Sequence, residues 1–316
     1  MTSPDSQSPL PPRVLAVVGP TAVGKTALAE ELAARLGGEI VSADSMQIYR
    51  GMDIGTAKPP PAQRRVPYHC LDLAEPGEAF SAALFQVAAR EAIVDIASRG
   101  KLPVVAGGTG LYVRAALDAM EFPAGDQVGN ATRARYEKFA AEYGAEALHA
   151  LLAERDPASA AAVHANNVRR VVRALEMADE GVTYAEQRAG FSARTSVYDA
   201  RFIGLTMDRA RLYQRVDERV DAMVAAGLLD EVRRLLDAGL RDALTASQAI
   251  GYKEFVPVIE GESSLEEAVS AVKQASRRYA KRQLTWFNAD PRIRWVDVTD
   301  LTLSQAVDAA MGTLDW

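Results

Sequence analysis

One stretch near the start of the chain restricts the fold more than any other. Val14-Leu-Ala-Val-Val18 is a continuous apolar run that breaks into Gly19-Pro-Thr-Ala-Val-Gly-Lys-Thr26 and continues as Ala27-Leu-Ala-Glu-Glu-Leu-Ala-Ala-Arg-Leu36. A short valine-rich run suits a strand buried on both faces, and the second run is made of strong helix formers stopped by Gly37-Gly38. The turn between them fits G-x-x-x-x-G-K-[ST] at every fixed position. Its glycines let backbone N–H groups close around phosphate oxygens, and the helix N-terminus adds a favourable dipole. Lys25 can reach a terminal phosphate, and Thr26 can ligate Mg²⁺. One substrate therefore presents a diphosphate or a triphosphate.

The rest of the chain extends this unit. Glu39-Ile-Val-Ser-Ala43 reads as a second strand with Asp44 at its end, and residues 50–77 read mostly as loop. Ser81 caps a helix to residue 98, and Leu102-Pro-Val-Val-Ala106 is a further buried strand running into Gly107-Gly-Thr-Gly110. This alternation predicts an α/β fold: a P-loop parallel-sheet core with helices on both faces. Residues 132–179 are nearly all Ala, Glu, Arg and Leu, and read as a helical insertion. Strand character returns over 201–207. Asp208 caps a helix ending near Gly227, Ser264-Leu-Glu-Glu267 is a capping box for a helix to Phe287, and 292–298 reads as a last strand. The expected organisation is a disordered tail (1–12), a catalytic core (13–117 and 200–316) and a helical insertion (118–199).

A chain of 316 residues with 48% hydrophobic residues can bury a real core. A single cysteine, Cys70, allows no internal disulfide, and His69, His149 and His164 are not spaced as metal ligands. No apolar run approaches the roughly 20 residues of a membrane span, and the first twelve residues lack the apolar core of a secretion signal. A cytoplasmic protein is expected. The net charge of −6 argues against a nucleic-acid partner, but the placement of charge reverses this. Lys273, Arg277 and Lys281 recur every four residues, Arg278 and Arg282 form the adjacent stripe, and no acid lies between Glu267 and Asp290. Like charges along a helix face repel, and a phosphate backbone would offset the repulsion. Arg169, Arg170 and Arg173 form a second cluster, with Arg133, Arg135 and Lys138 nearby in sequence.

P-loop ATPases commonly end an apolar strand with an acid that helps hold the metal. Here Val104-Val-Ala-Gly-Gly-Thr109 ends without one, and the acid is Asp44. Such a loop, although of a type that also binds ATP, can hold a leaving diphosphate without hydrolysis. Gly19, Asp44 and Thr109 all sit at carboxyl ends of strands, where ligands bind in open α/β sheets.

Three segments carry a resemblance: the P-loop at 19–26, Ser42-Ala-Asp-Ser-Met-Gln-Ile-Tyr-Arg-Gly-Met-Asp-Ile-Gly-Thr-Ala-Lys-Pro59, and Gly107-Gly-Thr-Gly-Leu-Tyr112. With Arg173-Ala-Leu-Glu176, Ile250-Gly-Tyr252 and Ala280-Lys-Arg-Gln-Leu-Thr-Trp286, they closely resemble the tRNA dimethylallyltransferase family over nearly the whole chain after the tail. The family transfers a dimethylallyl group from dimethylallyl diphosphate to N6 of the adenosine on the 3′ side of the anticodon. The resemblance implies that Asp44 is the catalytic base. It implies that the loop from Gly19 and Pro20 through Thr21, Ala22, Val23, Gly24, Lys25 and Thr26 holds the diphosphate with Mg²⁺. It places Arg215 or Arg219 on the diphosphate, without choosing between them. For the tRNA anticodon stem-loop it implies Asp44, Ser45, Met46, Gln47 and Thr109. It adds Arg169, Arg170, Val171, Val172 and Arg173, with Arg133 close by. Ala246, Ser247, Gln248, Ala249, Ile250 and Gly251 follow, then Arg277, Arg278, Lys281, Arg282 and Gln283 on the last long helix. Lacking cysteines for the zinc finger of eukaryotic members, the chain resembles the bacterial type. A monomer is expected.

The residues suit this chemistry. The exocyclic amine of adenine is a weak nucleophile, and a carboxylate that takes its proton as the C–N bond forms removes the cost of a cationic amine. Asp44 also fits a Mg²⁺ ligand or a helix cap. A loop adenine must leave its stack to be reached. Gln47 can read its edge, and Tyr49 or Tyr112 can stack on a nucleotide or pack in the core. A P-loop metabolite kinase, a prenyl transfer to free adenine nucleotides and a nucleotide-gated RNA-binding protein are the competing readings. The basic helix disfavours the first, and the helical insertion the second.

Overall fold

The computed structural model describes residues 11–122 and 130–316. Residues 1–10 of the expected tail lie outside the described residues. The chain forms two compact units, one of Met1–Asp118 with Ser196–Trp316, the other of Ala119–Thr195.

The larger unit is built on six parallel strands: β1 (Arg13–Val18), β2 (Gly38–Ser42), β3 (Tyr68–His69), β4 (Leu102–Gly107), β5 (Asp199–Thr206) and β6 (Ile293–Asp297), in the order β3-β2-β4-β1-β5-β6. β1 is central, with Leu15 in register with Val104 on one side and Arg201 on the other, and all its residues after Arg13 are buried. That burial on both faces explains why its sequence shows no alternation. Helices α1 (Lys25–Leu36), α2 (Ala82–Ser98) and α3 (Gly110–Leu117) follow β1, β3 and β4. Ser81 caps α2 by accepting from the Leu84 N–H at 3.2 Å.

β3 falls in the stretch expected to be loop. It has two residues, too few for any periodicity, and its ladder to β2 is set by neighbours rather than by its own pattern.

The smaller unit contains α4 (Ala131–Arg155), α5 (Pro157–Ala162), α6 (Val168–Asp179) and α7 (Tyr184–Ser192). α4 bends at Gly144, whose φ of 88° is open to glycine. Tyr136, Leu148, Leu152, Val171 and Leu175 share this unit's core.

After β5 come α8 (Arg209–Ala225), capped by Asp208, then α9 (Leu228–Asp237), α10 (Val256–Ile259), α11 (Leu265–Asn288) and, after β6, α12 (Leu303–Met311). The expected capping box opens α11: Ser264 Oγ accepts from the Glu267 N–H, and the Glu267 carboxylate accepts from the Ser264 N–H. α8 and α11 pack along one another. No helix of the described residues is long and apolar enough to cross a membrane.

Candidate active site

The P-loop takes its shape from its glycines. Gly19 has φ 142°, and a Cβ there would lie 2.6 Å from the Leu205 carbonyl oxygen of β5. Gly24 has φ 104° and caps α1, while Val23 is buried in the core. The loop thus presents backbone, with Thr21, Lys25 and Thr26 as the side chains that reach the cleft.

Next to it, the ends of β2 and β4 are joined. The Ala43 N–H donates to Ala106 O at 2.8 Å, and the Thr109 N–H donates to Ala43 O at 3.2 Å. A Cβ on Gly107 would lie 2.2 Å from Ala43 O, so the glycine is what lets the strands meet. Thr109 Oγ1 accepts from the Ser45 N–H at 3.1 Å, and Asp44 Oδ1 accepts from the Met46 N–H at 2.9 Å. Gly19, Asp44 and Thr109 are thereby gathered at one end of the sheet.

Two chambers meet there. The smaller, about 70 Å³, is lined by Thr21, Lys25, Thr26, Ser42, Gln47 and Gln283 among others. The larger, about 310 Å³, has apolar walls from Met46, Val216, Val220, Met223, Ile250 and Val272. Thr21, Asp44, Thr56, Arg219 and Tyr279 line both. Arg219 of α8 donates to Thr56 O at 3.3 Å, and burial lowers its pKa while Asp44 opposes the shift. Arg215, one turn earlier, is exposed and lines neither chamber. Lys25 Nζ donates to Pro20 O at 2.5 Å. Burial, then the charge of Arg219, lowers the Lys25 pKa to about 7, against the pull of Asp44.

Several side chains expected to face RNA are engaged within the protein. Gln47 accepts from Ser42 Oγ at 2.9 Å and donates to Thr56 O at 3.2 Å. Gln283 accepts from the Thr21 N–H and donates to Gly108 O. Tyr49 and Tyr112 are core residues, Tyr112 stacked on Phe85 with ring centroids 4.0 Å apart. The basic face of α11 is not wholly unpaired. Arg277 meets Asp217 at 2.5 Å and Lys273 meets Asp221 at 2.6 Å, because this stripe lies against α8. Arg278, Lys281 and Arg282 are exposed and, among the described residues, have no acid within 4.0 Å. In the smaller unit Arg169 and Arg170 are exposed, but Val171 and Val172 are buried. Arg133 grips the buried Glu176 with two 2.9 Å bonds, and Arg173 meets the same carboxylate at 3.4 Å. Between residues 246 and 251, Ala246 is buried, Ser247 Oγ donates to Ala243 O, and Gln248, Ala249, Ile250 and Gly251 line the larger chamber.

Sequence reasoning missed two residues here. Glu231 of α9 is buried and accepts from the Asp53, Ile54 and Gly55 N–H groups at 3.1, 2.8 and 3.1 Å, and from Tyr252 Oη at 2.7 Å. It holds the loop whose Thr56 carbonyl receives Gln47 and Arg219. Its signal was a glutamate on the buried face of α9, beside Leu228, Val232 and Leu235. Tyr279 is the aromatic residue that lines both chambers, under the Arg282 guanidinium at 5.6 Å, and burial raises its pKa to about 12. Its signal was its place one turn before Gln283.

The family model described as "IPP transferase" matches residues 47–290, and one described as "Isopentenyl transferase" matches residues 12–66. A tRNA dimethylallyltransferase of Geobacillus kaustophilus is 52% identical over 290 residues, covering 91% of each chain. One from Carboxydothermus hydrogenoformans is 47% identical over 291 residues, covering 90% of this chain and 92% of its own. Among solved structures, a tRNA isopentenylpyrophosphate transferase of Bacillus halodurans aligns with a TM-score of 0.69 at 45% identity, covering 95% of this chain and 94% of its own. A eukaryotic dimethylallyltransferase acting on tRNA aligns with a TM-score of 0.79 at 29% identity, covering 95% of this chain and 78% of its own.

Proposed function

The chain belongs to the tRNA dimethylallyltransferase family, and from that premise we propose that it moves the dimethylallyl group of dimethylallyl diphosphate onto N6 of the adenosine on the 3′ side of the anticodon. The observation that carries the detailed reading is that the Asp44 carboxylate lines both chambers. The diphosphate occupies the smaller, polar chamber against the P-loop, and the unstacked adenine enters the larger one. The N6–carbon bond forms as the carbon–oxygen bond to the diphosphate breaks. The diphosphate leaves with the electron pair, and Asp44 takes the N6 proton.

Lys25 and the loop N–H groups meet the charge that develops on the leaving diphosphate. Arg219 joins them, a role supported by its place on the wall shared by both chambers; Arg215 is more exposed, but one of its guanidinium nitrogens lies 3.9 Å from where a Cβ on Gly24 of the P-loop would sit, beside the same loop. Mg²⁺ fits the donor set. The Thr26 hydroxyl stands at the first turn of α1 in the smaller chamber, and among the described residues no group of three His, Cys, Asp or Glu makes a protein-only metal site. That suits an ion that keeps several waters and binds through phosphate oxygens. When bound, it would neutralise charge on the diphosphate.

In the larger unit, exposed Arg278, Lys281 and Arg282 are cations suited to the anticodon stem-loop backbone; in the helical unit, taken by itself, exposed Arg169 and Arg170 are likewise suited. A tRNA substrate supports a cytoplasmic enzyme. The test is to incubate the protein with tRNA, dimethylallyl diphosphate and Mg²⁺, digest the RNA and weigh the nucleosides. N6-(dimethylallyl)adenosine is the expected product. Phosphorylated product from ATP, or unmodified RNA, would contradict the reading.

A further inference from the structure

Gln283 occupies a position that RNA contact does not explain. Its side chain is 6% exposed and reaches across 262 residues of sequence to the P-loop, where its Oε1 accepts from the Thr21 N–H at 2.8 Å. Its Nε2 donates to the Gly108 carbonyl at 2.9 Å. A Cβ on Gly108 would lie 2.2 Å from that nitrogen, so the backbone beyond β4 leaves room for this one side chain. The amide thus joins the loops after β1 and β4, and its two ends, one acceptor and one donor, match an N–H and a C=O. Tyr279, one turn earlier, faces the same cleft, whereas Arg278, Lys281 and Arg282 are exposed.

We infer that Gln283 is a positioning residue of the donor site: it fixes the P-loop in the shape that receives the diphosphate, from a helix whose exposed cations meet RNA. This rests on the diphosphate reading of the smaller chamber. Losing the amide leaves the part-buried Thr21 N–H and the buried Gly108 C=O without this partner, and frees the loop at Thr21.

The test measures binding of inorganic pyrophosphate with Mg²⁺ by calorimetry, beside tRNA binding at several salt concentrations. Gln283→Ala is expected to weaken pyrophosphate binding on the order of tenfold, with tRNA affinity and its salt slope unchanged. Gln283→Glu keeps the acceptor for Thr21 but sets a carboxylate oxygen against Gly108 O, and regains the donor when protonated. Burial against the Gly108 carbonyl raises such a carboxyl above the ordinary glutamate range, so the variant's pyrophosphate affinity, as a ratio to the unmutated protein at the same pH, should recover as pH falls from about 8 to about 5. A residue that served only to hold the fold together would lower the melting temperature of both variants without that recovery. Unaltered pyrophosphate binding in Gln283→Ala, or a selective loss of tRNA binding with a shallower salt slope, would overturn the inference. An unmutated protein that binds no pyrophosphate would instead overturn the diphosphate reading beneath it.

Discussion

At the residue scale the site is governed by how few charges share a small volume. Lys25, Arg219 and Asp44 all line the smaller chamber, two cations to one carboxylate. Burial and the neighbouring guanidinium are why the Lys25 pKa falls to about 7. A diphosphate bound there favours the ammonium, so binding takes up a proton whenever the free lysine is neutral. The ammonium is fully present below pH 7 and is lost as pH rises through it. Pyrophosphate affinity should therefore decline above pH 7, by up to about tenfold per pH unit. Lys25→Met should bind weakly and lose most of this dependence. Calorimetric titration across the range checks both, and an unchanged pH profile in Lys25→Met would remove Lys25 from the diphosphate site. Glu231 poses a different residue-scale question, since one buried carboxylate satisfies three consecutive N–H groups and a tyrosine hydroxyl. Glu231→Ala strands all four, and should cost about 3 kcal/mol or more in urea unfolding. A loss below about 1 kcal/mol would mean that the loop repacks without it.

At the element scale α11 divides its cations between two tasks. Lys273 and Arg277 pair with Asp221 and Asp217 of α8, whereas Arg278, Lys281 and Arg282 remain exposed. Arg278→Ala and Lys281→Ala should each flatten the plot of log tRNA affinity against log salt by about 0.7 to 0.9. Lys273→Ala should leave that slope as it is; a reduced slope there would mean the pair with Asp221 opens when RNA binds. The sequence displayed the stripe but not its division, because a helix periodicity says which residues share a face and not which helix that face meets. The same limit explains the other departures. β1, the P-loop and α1 were legible because an apolar run, fixed glycines and strong helix formers agree with one another. The Ser81, Asp208 and Ser264 caps were legible because capping is local chemistry. β3 was not, since two residues carry no pattern, and the bonds that tie Gln283 to Gly108 and Thr21 were not, because these partners lie 175 and 262 residues away. The pairing of Arg133 with Glu176, 43 residues on, was hidden for the same reason, whereas that of Arg173 with the same carboxylate is an i,i+3 pair.

At the scale of the whole molecule, the larger unit brings segments from across the chain to the carboxyl end of one sheet. The P-loop comes after β1, Asp44 after β2, Thr109 after β4, Arg219 from α8, and Tyr279 and Gln283 from α11. The small polar chamber and the larger apolar-walled one each suit one substrate, and the Asp44 carboxylate is the acid they share. The role of Asp44 is therefore exposed when both substrates are bound and that carboxylate cannot take a proton. Asp44→Asn keeps the size of the side chain and its carbonyl oxygen for the Met46 N–H. The decisive measurement is a rapid-quench single turnover with saturating dimethylallyl diphosphate, tRNA and Mg²⁺. Transfer should slow by roughly 10² to 10⁴ while both substrates bind with near-normal affinity, and added Mg²⁺ should not restore it. Near-normal transfer by Asp44→Asn, or recovery on raising Mg²⁺, would contradict the assignment of Asp44 as the base.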